Sequence, residues 1–429
     1  MTEPTKRYLL HSQTDKVYYT NEDAVLNGVS LKSSDEEQKK YELHELIEIA
    51  QKEERKIYGE LLKNAAYKNL LVLSGAGMSK EGTKKNVETE EEEAKDRQGL
   101  WDAVEIAVGK EVFGAFIKKL SFSEELKDIE ELLSKAYLYL KFDYKAKIKY
   151  RTDGQEEKDE EMELKALVSK IEKCIKEECD LVLSGKYHQK FLDKLLNRNL
   201  KYPRVKFFTT NYDRIIEQAA QIANITLLDG FSFTMPRMFS GVNFDYDIVF
   251  REKSRINKEE SFVPKVMHLY KMHGSLDWIR NDNGNVQICS ENDKRDRLLI
   301  YPASNKYESS YEQPYFEMMS RFQGYLRQEN TLLIIVGFSL YDKHISNVIL
   351  EAVRQNPSFT LLICNYYPEV NGEDERLGGI PLNDIPLKEF TKESNVFVVN
   401  EKFSDFVENY PSNHIYYQSS RQGNEDNPI

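Results

Sequence analysis

Apolar positions along this chain fall into two alternating patterns. From Glu42 to Asn64 they recur three and four residues apart, at Leu43, Leu46, Ile47, Ile49, Ile57, Tyr58, Leu61 and Leu62, which predicts an amphipathic helix. Leu70 to Leu73 then form an unbroken apolar run, the mark of a strand buried on both faces. Further core strands are predicted at Val205–Asp213, in the stretch from Val266 to Ser275, at Thr331–Ser339, at Phe359–Asn365 and at Val396–Val399. Helical patterns lie between them, as at Ile215, Ile216 and Ala219 or at Ile345, Val348 and Ile349. Strands that alternate with helices imply a parallel sheet covered on both faces. The fold class is therefore α/β, a Rossmann-like doubly wound parallel sheet, with a large all-helical insertion.

The pattern also sets an organisation. Residues 1–62 are an N-terminal segment and helix, in which Tyr18, Tyr19, Val25 and Leu26 can anchor a short strand or turn. Residues 63–102 are the first part of the core, 103–200 the helical insertion, and 201–410 the second part of the core. That second part carries loop insertions at about 231–262 and 280–330, and 411–429 form a tail. Arg151 to Glu161 is polar and reads as a loop inside the insertion, while Asp282-Asn283-Gly284 reads as a hairpin turn. Leu298 to Pro302 is a further apolar run.

Charge and cysteine usage narrow the classes. A net charge of −12 argues against non-specific nucleic-acid binding by the chain as a whole. The four cysteines, Cys174, Cys179, Cys289 and Cys364, lack the two close pairs of a zinc ribbon, so no metal is expected. No apolar stretch approaches the ~18 residues of a membrane span, and the N-terminus lacks a signal-peptide core, so a cytoplasmic protein is expected. The acidic run Glu88 to Glu93 reads as a solvated surface. Lying just after the first strand, it could also repel an anionic ligand at the strand ends.

The chemistry gathers where strands end. Gly75-Ala76-Gly77 follows the first strand, and a helix beginning there would aim free N–H groups at an anion. Asn211 to Asp213, His273 to Ser275, Gly337 to Ser339 and Asn365 follow the others. Ligands of open α/β sheets bind outside those ends, so the five segments should converge. Each has a plainer reading. Asp213 and Ser339 could cap helices, and Asp342 and His344 begin one and read as caps or interface groups. His268, five residues before His273, faces the other side of its strand.

At these residues the sequence resembles the sirtuin superfamily: Gly75-Ala76-Gly77-Met78-Ser79, Thr209-Thr210-Asn211-Tyr212-Asp213, His273-Gly274-Ser275 and Gly337-Phe338-Ser339-Leu340 occur in that family's order. It looks most like the sirtuin-like domains of bacterial anti-phage defence proteins, on Gly99-Leu100-Trp101-Asp102, on Tyr301-Pro302 followed by Lys306-Tyr307, and on Tyr341 to Ile345. The Asp-Phe-Arg segment and four-cysteine zinc module of deacetylating sirtuins are missing. The resemblance implies an NAD hydrolase in which Asn211 and His273 are the catalytic pair and Asp213 assists. Gly75, Ala76, Gly77, Ser79, Thr210, Gly337, Phe338, Ser339 and Asn365 would hold NAD, with Asn365 on a ribose. It further implies a homo-oligomer and, as partner, a HerA-type hexameric ATPase. The alternatives are a deacylase or ADP-ribosyltransferase, an NAD or ADP-ribose-binding scaffold, and a nuclease component of a defence complex.

Overall fold

The computed structural model describes residues 5–32, 40–63, 67–85, 94–95, 97–123, 127–152, 158–250, 262–289, 313–368, 376–377, 380–381 and 387–412. The acidic run Glu88 to Glu93, the apolar run at 298–302 and the segment around Lys306-Tyr307 lie outside these residues.

Seven parallel strands form the centre of one large sheet. Their spatial order is Thr226–Leu228, Val266–Lys271, Lys206–Thr209, Asn69–Ser74, Thr331–Val336, Phe359–Asn365 and Val396–Asn400. Every residue of Asn69–Ser74, Thr331–Val336 and Val266–Lys271 is buried, as continuous apolar runs require. Alternate side chains feed two cores. Leu70, Val72, Leu332 and Ile334 pack with Leu46, Ala50, Tyr58 and Leu62 of the Leu43–Lys63 helix, and with the Tyr187–Leu196, Ile215–Ile222 and Phe403–Asn409 helices. Leu71, Leu73, Leu333 and Ile335 pack on the other face against the Tyr315–Leu326 and Lys343–Gln355 helices. Helices on both faces make the sheet doubly wound.

The first of these seven strands in sequence, Asn69–Ser74, is central, with three of the others on either side. It pairs with Lys206–Thr209 on one side and Thr331–Val336 on the other. The topological switch point, where α/β sheets open a crevice, therefore lies at the ends of these three strands.

Two edges depart from the sequence reading. Thr226–Leu228 adds a strand that the sequence does not announce, because three residues are too short for a periodic signal. The N-terminal segment does more than anchor one turn. Arg7–His11 pairs antiparallel with Val396–Asn400, and Lys16–Tyr19, Ala24–Leu26 and Val29–Ser30 continue the meander.

The insertion has a core of its own, including Trp101, Val104, Phe113, Phe116, Leu132, Leu167 and Ile171. It is mostly helical, with two corrections: Leu181–Leu183 is a strand paired with Thr83–Lys85, and the polar stretch expected as a loop supplies residues to two paired strands, Lys147–Thr152 against Lys158–Glu163. Ile148 is buried and Met162 packs on the insertion core, while Lys147 and Lys149 pair outward with Glu161 at 3.1 and 3.2 Å. Opposite charges on the solvent face hide the two-residue alternation beneath a polar composition. The Asn283-Gly284 hairpin forms as expected, joining Trp278–Arg280 to Val286–Ile288.

On the second face Phe244, Tyr270 and Phe208 stack in sequence, with centroids 4.2 and 4.4 Å apart. His268 lies beside them, buried, its Nδ1 3.3 Å from the Tyr270 hydroxyl. Burial, then the nearby Lys206, lowers its pKa to about 4. As pH falls below about 6.5 the unfolded chain takes up a proton that the folded chain refuses, so this residue's stabilisation is present above that pH and lost towards about pH 4. Relative to His268→Phe, the wild type should lose about 1.4 kcal/mol per pH unit across that window. Urea midpoints measured between pH 7 and 4.5 test this, and parallel curves would refute it.

Candidate active site

One row of residues crosses the sheet just before the strands end. Lys271 pairs in register with Thr209, Thr209 with Ser74, Ser74 with Val336, and Val336 with Cys364. One or two residues beyond that row stand Gly75, Asn211, His273, Gly337 and Asn365. The register thus brings together the five segments singled out in the sequence.

At the switch point the glycines meet one another. Gly75 N–H donates to Val336 O at 3.1 Å and Gly77 N–H to Gly337 O at 2.9 Å. A Cβ on Gly77 would stand 2.8 Å from Gly337 Cα, and one on Gly75 2.7 Å from Gly337 O. Gly337 itself has φ +64°, where a side chain is strained in any case. The space beside Gly77 is taken by the neighbouring turn. The helix after it is a single turn, Ala76–Ser79, and Met78 N–H is spent on Gly75 O. Ala76 is the exposed residue of the Gly75 to Ser79 stretch. Buried His188 supports the turn from below, its Nε2 3.0 Å from Met78 O, and burial lowers its pKa to about 4.

Asn211 is fixed by two donations from its amide nitrogen, to Gly75 O at 3.0 Å and to Ser79 Oγ at 2.9 Å. A carbonyl oxygen only accepts, so the Asn211 Nδ2 must face Gly75 and its Oδ1 is presented as an acceptor. Ser79 passes the chain on, donating to Asp213 Oδ2 at 2.8 Å, and Asp213 Oδ1 accepts the Ile215 N–H at 3.0 Å. Both Asp213 oxygens are therefore engaged within the protein, one of them starting a helix. Burial pushes its carboxyl above the usual range, against the pull of Lys271, the Ile215 N–H and the Ser79 hydroxyl.

Behind this chain lies a group the sequence reading passed over. Lys271 is 2% exposed; its ammonium donates to Asp213 O, to Ser275 Oγ at 2.7 Å and to Glu217 Oε1 at 2.9 Å. It staples the Asn211 loop to the His273 loop. A lysine within the apolar run from Val266 to Met272 was the available signal, since a buried ammonium must find acceptors.

His273 is 7% exposed, and its Nε2 lies 3.2 Å from Asp342 Oδ2. Asp342 also caps the Lys343–Gln355 helix, its Oδ1 accepting from His344 N at 3.0 Å. The helix cap expected among Ser339 and Asp342 is thus Asp342, and Ser339 is exposed. Phe338 is a core residue, and the N–H and hydroxyl of Thr210 both turn to Ser74 O. Asn365 is buried, its amide donating to Phe338 O at 2.8 Å, while its Oδ1 has no hydrogen-bond partner among the described residues.

Among the described residues, no three His, Cys, Asp or Glu side chains are grouped to hold a metal, and no helix is long and apolar enough to cross a membrane. A cleft lined by Gln323, Arg327, Val348 and Glu351 lies between the Tyr315–Leu326 and Lys343–Gln355 helices, near the ends at which the strands begin.

Residues 205–376 match a family model described as a SIR2-like domain. That stretch holds Asn211, Asp213, His273, Gly337 to Ser339 and Asn365; the glycine turn precedes it in sequence and joins it in space. No curated protein matches the chain. Among solved structures, a mutant Sir2 homologue in complex with ADP ribose is similar at 14% identity with a TM-score of 0.34, over 86% of this chain and 99% of that one. A structure described as the basis for the mechanism and regulation of Sir2 enzymes is similar at 12% identity with a TM-score of 0.37, over 87% and 100%.

Proposed function

We propose that the protein is an NAD hydrolase, which with water converts NAD to nicotinamide and ADP-ribose. The observation that carries this reading is the pairing of a locked acceptor, Asn211 Oδ1, with a carboxylate-held imidazole, His273, at matching positions of adjacent strand ends beside the switch point. A SIR2-like domain supports NAD as the substrate.

The chemistry asks little more of the protein. The nicotinamide–ribose bond breaks with positive charge developing on the sugar, and the pyridinium leaves without strong acid catalysis. What remains is to orient a water and the ribose hydroxyls. Asn211 Oδ1 accepts from the attacking water or a ribose hydroxyl. His273 takes the proton released as the new bond forms. Asn365 Oδ1, buried and unpartnered among the described residues, suits a second ribose hydroxyl. Asp213 acts through Ser79, which its carboxylate holds against Asn211.

The biological setting we propose is an anti-phage defence complex, in which NAD depletion halts the infected cell. The chain would work in the cytoplasm as a homo-oligomer with a HerA-type hexameric ATPase, and the insertion, with its separate core, offers a contact surface. Product analysis tests the activity: purified protein incubated with NAD should yield nicotinamide and ADP-ribose in equal amounts. Folded His273→Ala should cut the rate by about a hundredfold or more. Acyl transfer to ADP-ribose in the presence of an acylated peptide would favour a deacylase instead.

A further inference from the structure

The strand leading to His273 and the strand leading to Asp342 are not neighbours. Lys206–Thr209 and Asn69–Ser74 lie between them, and three inter-strand steps span about 14 Å. Yet the two side chains meet at 3.2 Å. Their loops therefore reach towards each other across the ends of the two strands that carry Asn211 and the glycine turn. Each side chain is nearly inaccessible, at 9% for His273 and 7% for Asp342.

Asp342 is held on its other side as well. Its Oδ1 is tied to the first turn of the Lys343–Gln355 helix, and Ser346 N–H donates to Asp342 O at 2.8 Å. Ser346 Oγ reaches back to Leu340 O at 2.6 Å. Leu340 and Asp342, at the helix side of this loop, are thereby pinned to the first helical turn. A carboxylate so anchored offers one oxygen in a fixed place, and that oxygen faces Nε2.

We propose that Asp342 is the positioning residue of His273. A carboxylate oxygen only accepts, so Nε2 facing it carries the proton and Nδ1 becomes the basic nitrogen of the neutral ring. The same carboxylate favours the imidazolium that forms when the ring takes a proton. Two neighbours of the ring are placed differently. Tyr212 presents its ring, with centroids 6.4 Å apart, and Lys271, two residues before His273, turns to Asp213, Glu217 and Ser275. The helix cap and the imidazole clamp are two uses of one side chain.

The inference rests on His273 acting as the base, and its test separates the two ideas. Asn is as good a helix cap as Asp but carries no charge. The full-length Asp342→Asn protein should therefore keep the wild-type melting temperature. Its kcat for NAD cleavage should fall about tenfold or more with KM little changed, and Asp342→Glu should recover part of the loss. Independently of turnover, the His273 ring should titrate at lower pH in Asp342→Asn. It is followed by NMR on 13C-histidine-labelled protein and assigned by its disappearance in His273→Gln. A folded Asp342→Asn chain with an unmoved His273 titration would overturn the proposal and leave Asp342 as a helix cap alone. If the wild type cleaves no NAD, the proposed activity fails, and the titration alone still decides whether Asp342 sets the state of the ring.

Discussion

Asn211→Ala should slow nicotinamide release from NAD by about two to three orders of magnitude, the usual cost of removing one preorganised polar group from the reacting centre. The size of the effect follows from how firmly the side chain is held. Its amide nitrogen is committed to Gly75 O and Ser79 Oγ, so its oxygen is aimed without any cost at the moment of reaction. Alanine removes the acceptor and frees Ser79, but Asp213 still holds the serine and Lys271 still staples the loop. The fold should survive, with a melting temperature close to wild type. Asn211→Asp sharpens the test, because it sets a carboxylate oxygen 3.0 Å from the Gly75 carbonyl, acceptor against acceptor. The side chain must turn away, and activity should again be lost. Full turnover by either folded variant would remove Asn211 from the chemistry.

The largest effect on stability is expected at Gly337. A Cβ there would stand 2.2 Å from Met78 N and 2.5 Å from Gly77 C, both backbone atoms that cannot swing aside. The positive φ adds its own penalty. Together these predict that Gly337→Ala costs about 3–5 kcal/mol, and turnover should fall with it as the two glycine turns separate. Gly324→Ala is the control. It lies in the Tyr315–Leu326 helix with nothing near the added methyl, and should stabilise by about 0.5–1 kcal/mol. Denaturant unfolding of both variants decides the matter, and equal midpoints would show that the turns tolerate a wider spacing than their contacts imply.

These two residues also mark how far the sequence could be read. The centre of the sheet was legible because strands buried on both faces must be continuously apolar, and Leu70 to Leu73 or Leu332 to Val336 have few other uses. The gathering of Asn211, His273 and Gly337 followed from topology, since polar residues stood after each such run. What each does locally was less legible. Gly77 reads as part of an NAD-holding turn, and the space beside it is filled by Gly337, because nothing in one loop's sequence announces the backbone of another. Ser79 reads as an NAD contact and Asp213 as an aid to catalysis or a helix cap, and their side chains hydrogen-bond each other, Asn211 and the Ile215 N–H. Asp342 reads as a cap, correctly, but its second oxygen meets a residue 69 positions earlier. The short edge strands and the charged hairpin escaped for a simpler reason: three residues, or a face of ion pairs, leave no periodicity to detect.

The central place of the Asn69–Ser74 strand has a consequence for how the chain is made. Asn69 finds its partner Glu329 only 260 positions later, and Ser74 waits 136 for Thr210. At about 5–20 residues per second, a ribosome exposes the Leu70–Leu73 segment for on the order of ten seconds before its first neighbour emerges, and for tens of seconds before its second. The insertion emerges within that interval and can bury its own apolar side chains meanwhile. The nascent protein therefore carries an early, sticky, unpaired strand beside a module that can already be compact, and assembly of the crevice at the switch point is a late event in synthesis, reached only when the Thr331–Val336 segment has left the tunnel.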